Sequence, residues 1–349
     1  MASINFYAVI TTIQGPTPSV LKLAEKVSSE NGKVLLVGDQ KGPIRYPVEG
    51  VELIKLEDQW NLPHSLAALL PVGHYARKNL GYLEAIRRGA DCIYDTDDDN
   101  SPLASWRVRS NKTMAFQAPP QPWFNVYQAY TRDYIWPRGF PLEKLRGRLS
   151  NPIAAEECPQ IGAMVEVDAP IQQGLVNRSP DVDAVWRLIF NREIMFHDGP
   201  SLYLLPGTWC PFNSQSTWWW PAAFHLMYLP SHCTFRVTDI WRSFVAQRCL
   251  WAMGYGLVFH APEVEQARNV HDSLQDFADE IPGFLGNSRF AEVLSNIELP
   301  KGYDLRFQAM RLCYEALISA GFLPQEEITL VDAWLHDIKT LFQKRESRI

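Results

Sequence analysis

The sequence predicts an α/β protein: a Rossmann-like, mostly parallel sheet flanked by helices, with a helical extension at its C-terminal end. Three observations point there. Strand and helix signals alternate through the first hundred residues, an apolar strand runs straight into a block of carboxylates at 95–100, and from about Arg289 the pattern is helical. In a sheet of this kind ligands bind beyond the carboxyl ends of the strands.

The elements follow in order. Asn5 to Thr12 (NFYAVITT) is apolar and β-rich, Pro18 to Ser28 carries Val20, Leu21, Leu23 and Ala24 at helical spacing, and Lys33 to Val37 is a second strand closed by Gly38-Asp39. This is a βαβ opening. Val51 to Leu56 reads as a third strand, and Arg77 to Arg88 as a helix with Leu80, Leu83 and Ile86 on one face and Gly89 as its stop. From 101 to about 205 the chain is rich in Pro and aromatics and has little periodicity. Leu202–Leu205 and Phe224–Leu229 read as short strands around PGTWCPFNSQSTWWW, Ile240–Met253 as an amphipathic helix ending at Gly254, and Gly256–His260 as a strand. Three helical stretches close the chain: FAEVLSNI, LRFQAMRLCYEALISAG and EITLVDAWLHDIKTLF.

Asp95-Thr96-Asp97-Asp98-Asp99-Asn100 packs four carboxylates behind Cys92-Ile93-Tyr94. Like charges this close raise one another's pKa, so the cluster must be solvated or neutralised by a cation. An EF-hand loop starting at Asp95 needs Gly at position six and Glu at twelve, where this chain has Asn100 and Trp106. An aspartyl-phosphatase nucleophile would end the first strand, and this block follows three strand signals. A hard divalent ion shared with a diphosphate is the reading that survives, against a solvated acidic turn. Arg77-Lys78 supports it. Cations at a helix start oppose the macrodipole by about 0.3–1 kcal/mol, a conflict that a diphosphate would relieve, unless both side chains simply extend into water.

Composition narrows the function. The chain has 349 residues, 46% apolar and 21% charged, enough for a sizeable core, and its net charge of -6 argues against a nucleic-acid partner. The N-terminus lacks a signal-peptide pattern, and no run reaches about 18 uninterrupted apolar residues, so a cytoplasmic location without a transmembrane segment is expected. Peripheral membrane contact and oligomeric state stay open. Six scattered cysteines without C-x-x-C indicate neither a zinc site nor a disulfide framework.

Several long segments carry a resemblance: YARKNLGYLEAIRRGADCIYDTDDDN, WFNVYQAYTRDYIWPRGFPLE, QQGLVNRSPDVDAVWRL, LPGTWCPFNSQST and FRVTDIWRSFVAQRCLW with FHAPEVEQARNVHDSLQDFADEIP. Together they resemble the STELLO-type glycosyltransferases, formerly a domain of unknown function, which include plant proteins and a chlorovirus xylosyltransferase. The resemblance spans about residues 5 to 345 and implies a GT-A fold over 1–286, with a nucleotide-binding half at 1–100 and an acceptor-binding half at 101–286, followed by a helical extension at 287–349. A weaker similarity links DDD, VDAV and PF-N to plant UDP-arabinopyranose mutases.

The resemblance also implies roles. Asp97-Asp98-Asp99 would be the Asp-x-Asp element, Asp97 facing ribose or a metal-bound water and Asp99 ligating Mn²⁺ or Mg²⁺, with Asp95 behind them. Thr11, Thr12 and Asp39 would hold the nucleoside, although a Gly-Asp turn alone accounts for Asp39. Arg77 and Lys78 would contact phosphate or donor sugar. His271 is the expected third metal ligand, with His260 as rival. Asp239 is the candidate general base of an inverting transfer, with a helix N-cap as its competing role; Asp183 is the alternative base or a donor-sugar contact. Asn213, Ser214 and Gln215 would bond sugar hydroxyls, and Trp218, Trp219 and Trp220 offer stacking faces. The implied substrates are a nucleoside-diphosphate sugar, UDP-xylose as first guess, and a glycan or glycolipid acceptor. A UDP-sugar mutase and a non-catalytic scaffold of the same fold are the alternatives.

Overall fold

The computed structural model describes residues 4–145, 162–267 and 272–346. Its N-terminal part follows the alternating pattern. Strand β1 (Phe6–Thr11) leads to helix α1 (Pro18–Ser29), which Thr17 caps by accepting from Val20 N and which Pro18 starts without losing a needed donor. Strands β2 (Lys33–Val37) and β3 (Val51–Ile54), the single turn α2 (Leu56–Gln59), helix α3 (Lys78–Arg87) and strand β4 (Cys92–Thr96) follow. Helix α3 sits close on the sheet because Gly81 lacks a Cβ, which would lie 2.6 Å from both Val9 and Val37 side-chain carbons.

The middle of the chain contains more strand than its sequence announces. It contributes β5 (Asn100–Pro102), β6 (Lys112–Gln117), β7 (Met164–Asp168), β8 (Ile171–Asn177), helix α4 (Ala184–Phe190), β9 (Leu202–Leu204) and β10 (Ser216–Trp219). Helix α5 (Phe235–Ala252), strand β11 (Leu257–Gln266) and helices α6 (Ser273–Asn296), α7 (Arg306–Ser319) and α8 (Glu327–Glu346) complete the described elements.

The strands form one mixed sheet in the order β3-β2-β1-β4-β10-β8-β11-β9-β6-β7, with β5 pairing β11. Strands β3, β2, β1 and β4 are parallel, and β10 enters antiparallel between β4 and β8. This α/β sheet flanked by helices agrees with the GT-A-like arrangement expected. A large apolar cluster joins one face of the N-terminal strands to α5, α7 and α8, while a smaller one around Phe6, Tyr94, Trp106 and Trp218 fills the other face.

Two sequence expectations need correction. Phe224–Leu229 is no strand: a 3₁₀ turn runs from Pro221 to Met227, and its apolar residues face core in several directions at once. The C-terminal helical region begins at Ser273 instead of Arg289, with Pro282 inside α6, and this helix runs unbroken through 286–287.

Candidate active site

A cleft of about 720 Å³ opens where β1, β2 and β4 end, on the side that open α/β sheets use for ligands. Thr11, Thr12, Asp39, Arg77, Asp97, Asp98, Asp99, Gln215 and Asp239 all line it. The parallel block supplies one wall and the start of α5 supplies the other.

The acidic run divides its labour. Asp95 is fully buried on β4, held by Tyr82 Oη at 2.8 Å, Arg242 Nη1 at 2.9 Å and Lys78 Nζ at 2.7 Å. Its charge is neutralised by protein. Asp98 turns toward β1, where Thr12 Oγ1 donates to its carboxylate and Thr17 Oγ1 donates to its carbonyl at 2.7 Å. Asp99 Oδ2 accepts from Gln266 Nε2 at 2.9 Å, and Asp97 Oδ1 from Tyr75 Oη at 3.3 Å and Lys78 Nζ at 3.2 Å. Asp97 keeps 30% side-chain exposure to the cleft. Its enclosure by protein raises the carboxyl pKa, Lys78 opposes that, and Asp99, Asp95 and Asp239 add to the rise, which carries it to about 7.

Lys78 therefore departs from the expected substrate contact. Its ammonium is wholly buried behind the cleft, bonded to Thr96 O at 2.6 Å as well as to the two carboxylates. The helix-start conflict is relieved inside the protein. Arg77 does line the cleft, with Nε on Gln59 Oε1 at 2.6 Å and Nη1 on Leu70 O at 3.0 Å. Its Nη2 and the Oε1 of Gln215 are buried without a hydrogen-bond partner among the described residues. The Asp39 carboxylate accepts from Gly73 N and His74 N, each at 2.8 Å, and so fixes the loop opposite β1.

On the other wall Asp239 is not the helix cap its sequence position suggested. Helix α5 starts at Phe235 after Thr234, which places Asp239 one turn in, with no orphan amide to satisfy. Arg138 Nη2 lies 3.0 Å from both its oxygens and Ser214 N donates to Oδ2 at 3.3 Å. Arg138 also grips Asp181 with two bonds, at 2.7 and 2.8 Å. Asp183 is the residue that caps: it accepts from Trp186 N at 2.8 Å and from Trp136 Nε1, stays outside the cleft lining, and burial raises its carboxyl to about 7.

Other expectations fail on burial. Trp218, Trp219 and Trp220 are core, so none presents a stacking face. Asn213 and Ser214 are buried too, Asn213 Oδ1 bonded to Gln173 Nε2 and to Gln215 N at 2.9 Å, and Ser214 Oγ to Arg242 at 2.8 Å. His260 is spent between Ser201 at 2.7 Å and Gln172 at 2.8 Å. His271 lies outside the described residues. Among those described, no group of three or more His, Cys, Asp or Glu side chains forms a metal cage. Asp97 and Asp99 still suit a hard cation, because Mg²⁺-type ions are held by one or two carboxylates with phosphate and water filling the remainder. Reading by sequence missed Tyr75, Arg138, Asp181, Phe235 and Gln266. Asp181 and Arg138 lie in segments already singled out, PDVDAV and WPRGFP, but nothing local says which aspartate turns inward.

The cleft thus joins an acidic turn at the end of a parallel strand to a carboxylate on the facing helix. Residues 236–347 match the family model of the STELLO glycosyltransferases. The chain is also 25% identical, over 95% of its length, to the probable glycosyltransferases STELLO1 and STELLO2 of Arabidopsis thaliana, covering 44% of each. The resemblance drawn from the sequence motifs holds, and the chain spans less than half the length of these relatives. A mycobacterial protein of known structure is similar over 84% of this chain and 74% of its own, at a TM-score of 0.34 and 8% identity, too loose a likeness to add to the fold. No described helix is long and apolar enough to cross a membrane.

Proposed function

We propose that this protein is a metal-dependent, inverting glycosyltransferase that moves a sugar from a UDP-sugar or similar nucleoside-diphosphate donor to a glycan or glycolipid acceptor. The observation that carries the reading is the pairing in one cleft of Asp97 and Asp99, at the carboxyl end of β4, with Asp239 on α5. Asp97 and Asp99 would hold Mn²⁺ or Mg²⁺, which when bound stabilises charge on the leaving diphosphate. Arg77 and Gln215, which line the cleft, would meet the donor nucleotide. Asp239 takes the proton from the acceptor hydroxyl as that oxygen attacks C1 from the face opposite the leaving group. Arg138 and Ser214 N orient its carboxylate, and Tyr75 and Lys78 set that of Asp97.

The test is a panel of UDP-, GDP- and CMP-sugars with Mn²⁺, assayed for donor hydrolysis and transfer. Asp99→Asn should lower turnover of the active donor by about a hundredfold or more, on the scale of one lost metal ligand. Wild-type turnover by that variant, or an active donor unaffected by chelator, rules out the metal assignment. Interconversion of UDP-sugars without acceptor would instead favour the mutase reading.

A further inference from the structure

We infer that Phe235 is the stacking platform for an acceptor sugar, which would bind with a ring face against it and a hydroxyl toward Asp239. The inference rests on the transferase reading above and gives its acceptor subsite a chemical class: a neutral pyranoside with an exposed face of C–H bonds. Phe235 is 55% exposed and lines the cleft, whereas the three tryptophans expected to stack are core. An aromatic ring left open in the cleft costs hydrophobic free energy until an apolar surface covers it.

The ring is also fixed. Tyr75 meets it nearly perpendicularly, at 82° and 5.2 Å between centroids, and Tyr75 is in turn bonded to Asp97. A perpendicular contact occupies at most one face of Phe235, leaving the other for a ligand. Phe235 and Asp239 are four residues apart on α5 and so share a helix face one turn apart. A sugar on the ring would thus lie beside the carboxylate that accepts its proton, with Asp181 and Arg138 close to its other hydroxyls. The Tyr75 contact ties this platform to the donor side. It sets the acceptor against the end of β4 where the leaving group would be held.

The whole chain, with UDP and Mn²⁺ present, is titrated with neutral xylo-, cello- and manno-oligosaccharides, and binding is read by saturation-transfer NMR. At least one series should bind, with saturation concentrated on ring C–H protons. Phe235→Ala should weaken that binding about tenfold, the scale of one aromatic contact, and Phe235→Tyr should retain it. If an oligosaccharide is a substrate, Phe235→Ala should raise its KM in the same proportion with the donor KM within about twofold. Three outcomes overturn the inference: no oligosaccharide binds the wild type, Phe235→Ala binds as well as the wild type, or the variant loses donor affinity in parallel, which puts the ring on the donor sugar. Circular dichroism of the variant guards against a folding defect. Failure of the transferase reading shows differently, as Phe235-dependent sugar binding with no nucleotide sugar turned over.

Discussion

Asp239 lines the cleft one turn into α5. Its place in VTDIWRSF suggested a helix start, where Asp contributes by bonding an orphan amide. The helix begins four residues earlier, and the carboxylate faces the cleft under the grip of Arg138. Asp239→Asn should therefore leave stability nearly unchanged, because Arg138 keeps its two bonds to Asp181. Transfer should fall about 10²–10⁴-fold, the range for a lost general base, with donor affinity intact. Donor titration by calorimetry beside the transfer assay separates these effects. A loss of donor binding equal to the loss of transfer would remove Asp239 from the role of base. Asp183, the alternative base or donor-sugar contact, caps α4 outside the cleft lining: two aspartates two positions apart in PDVDAV cannot be told apart until the chain direction at α4 is known.

At the level of elements, legibility follows how each one meets water. Helix α1 and strands β1, β2 and β4 announce themselves because local pattern and tertiary role agree. Strand β8 hides, since Gln172 and Gln173 sit at buried positions whose polarity breaks the apolar run. Gln172 Nε2 is satisfied by Ser110 O at 2.8 Å and Gln173 by Asn213. Strand β10 is buried along its whole length and shows no alternation. Helix α3 carries a further device: Glu84 is buried with Oε1 2.9 Å from His64 Nε2 and both oxygens on Arg87 at 2.7 Å. Burial alone would raise its carboxyl, but these bonds more than offset it and bring it from 4.5 to about 2. The folded state then holds this proton less tightly than the unfolded chain. Stability from the site is complete above about pH 4.5, falls as pH drops toward 2, and amounts to about 3 kcal/mol. Urea midpoints measured from pH 5 to pH 2 should show a shallower acid decline for Glu84→Gln than for the wild type. Identical slopes would mean that the His64 and Arg87 contacts do not hold the charged form.

For the molecule as a whole, the C-terminal helices are fastened to both parts of the sheet. Asp337 on α8 accepts from Ser65 N at 2.8 Å and Leu66 N at 2.9 Å, capping a turn that precedes α3. Glu327, fully buried, accepts from Tyr228 Oη at 2.6 Å and from the amides of Ser231 and His232, which lead into α5. Trp334, Val331 and Ile338 belong to the same apolar cluster as Val9 of β1, Leu35 of β2 and Phe244 of α5. A core shared this way makes loss of α7 and α8 cost packing everywhere, so these helices should not melt first. Urea unfolding followed by tryptophan fluorescence and by far-UV circular dichroism should give one coincident transition. Trp334→Ala, which removes a fully buried indole and its bond to His225 O at 2.7 Å, should shift that whole transition by about 3–5 kcal/mol without splitting it. A separate early step in the variant or the wild type would show that the helices form an appendage. The cleft would then owe its shape to the sheet alone, and Asp39, Arg77 and Asp97 should keep donor binding after that first step. A single transition carries the opposite consequence: donor affinity is lost together with the C-terminal helices.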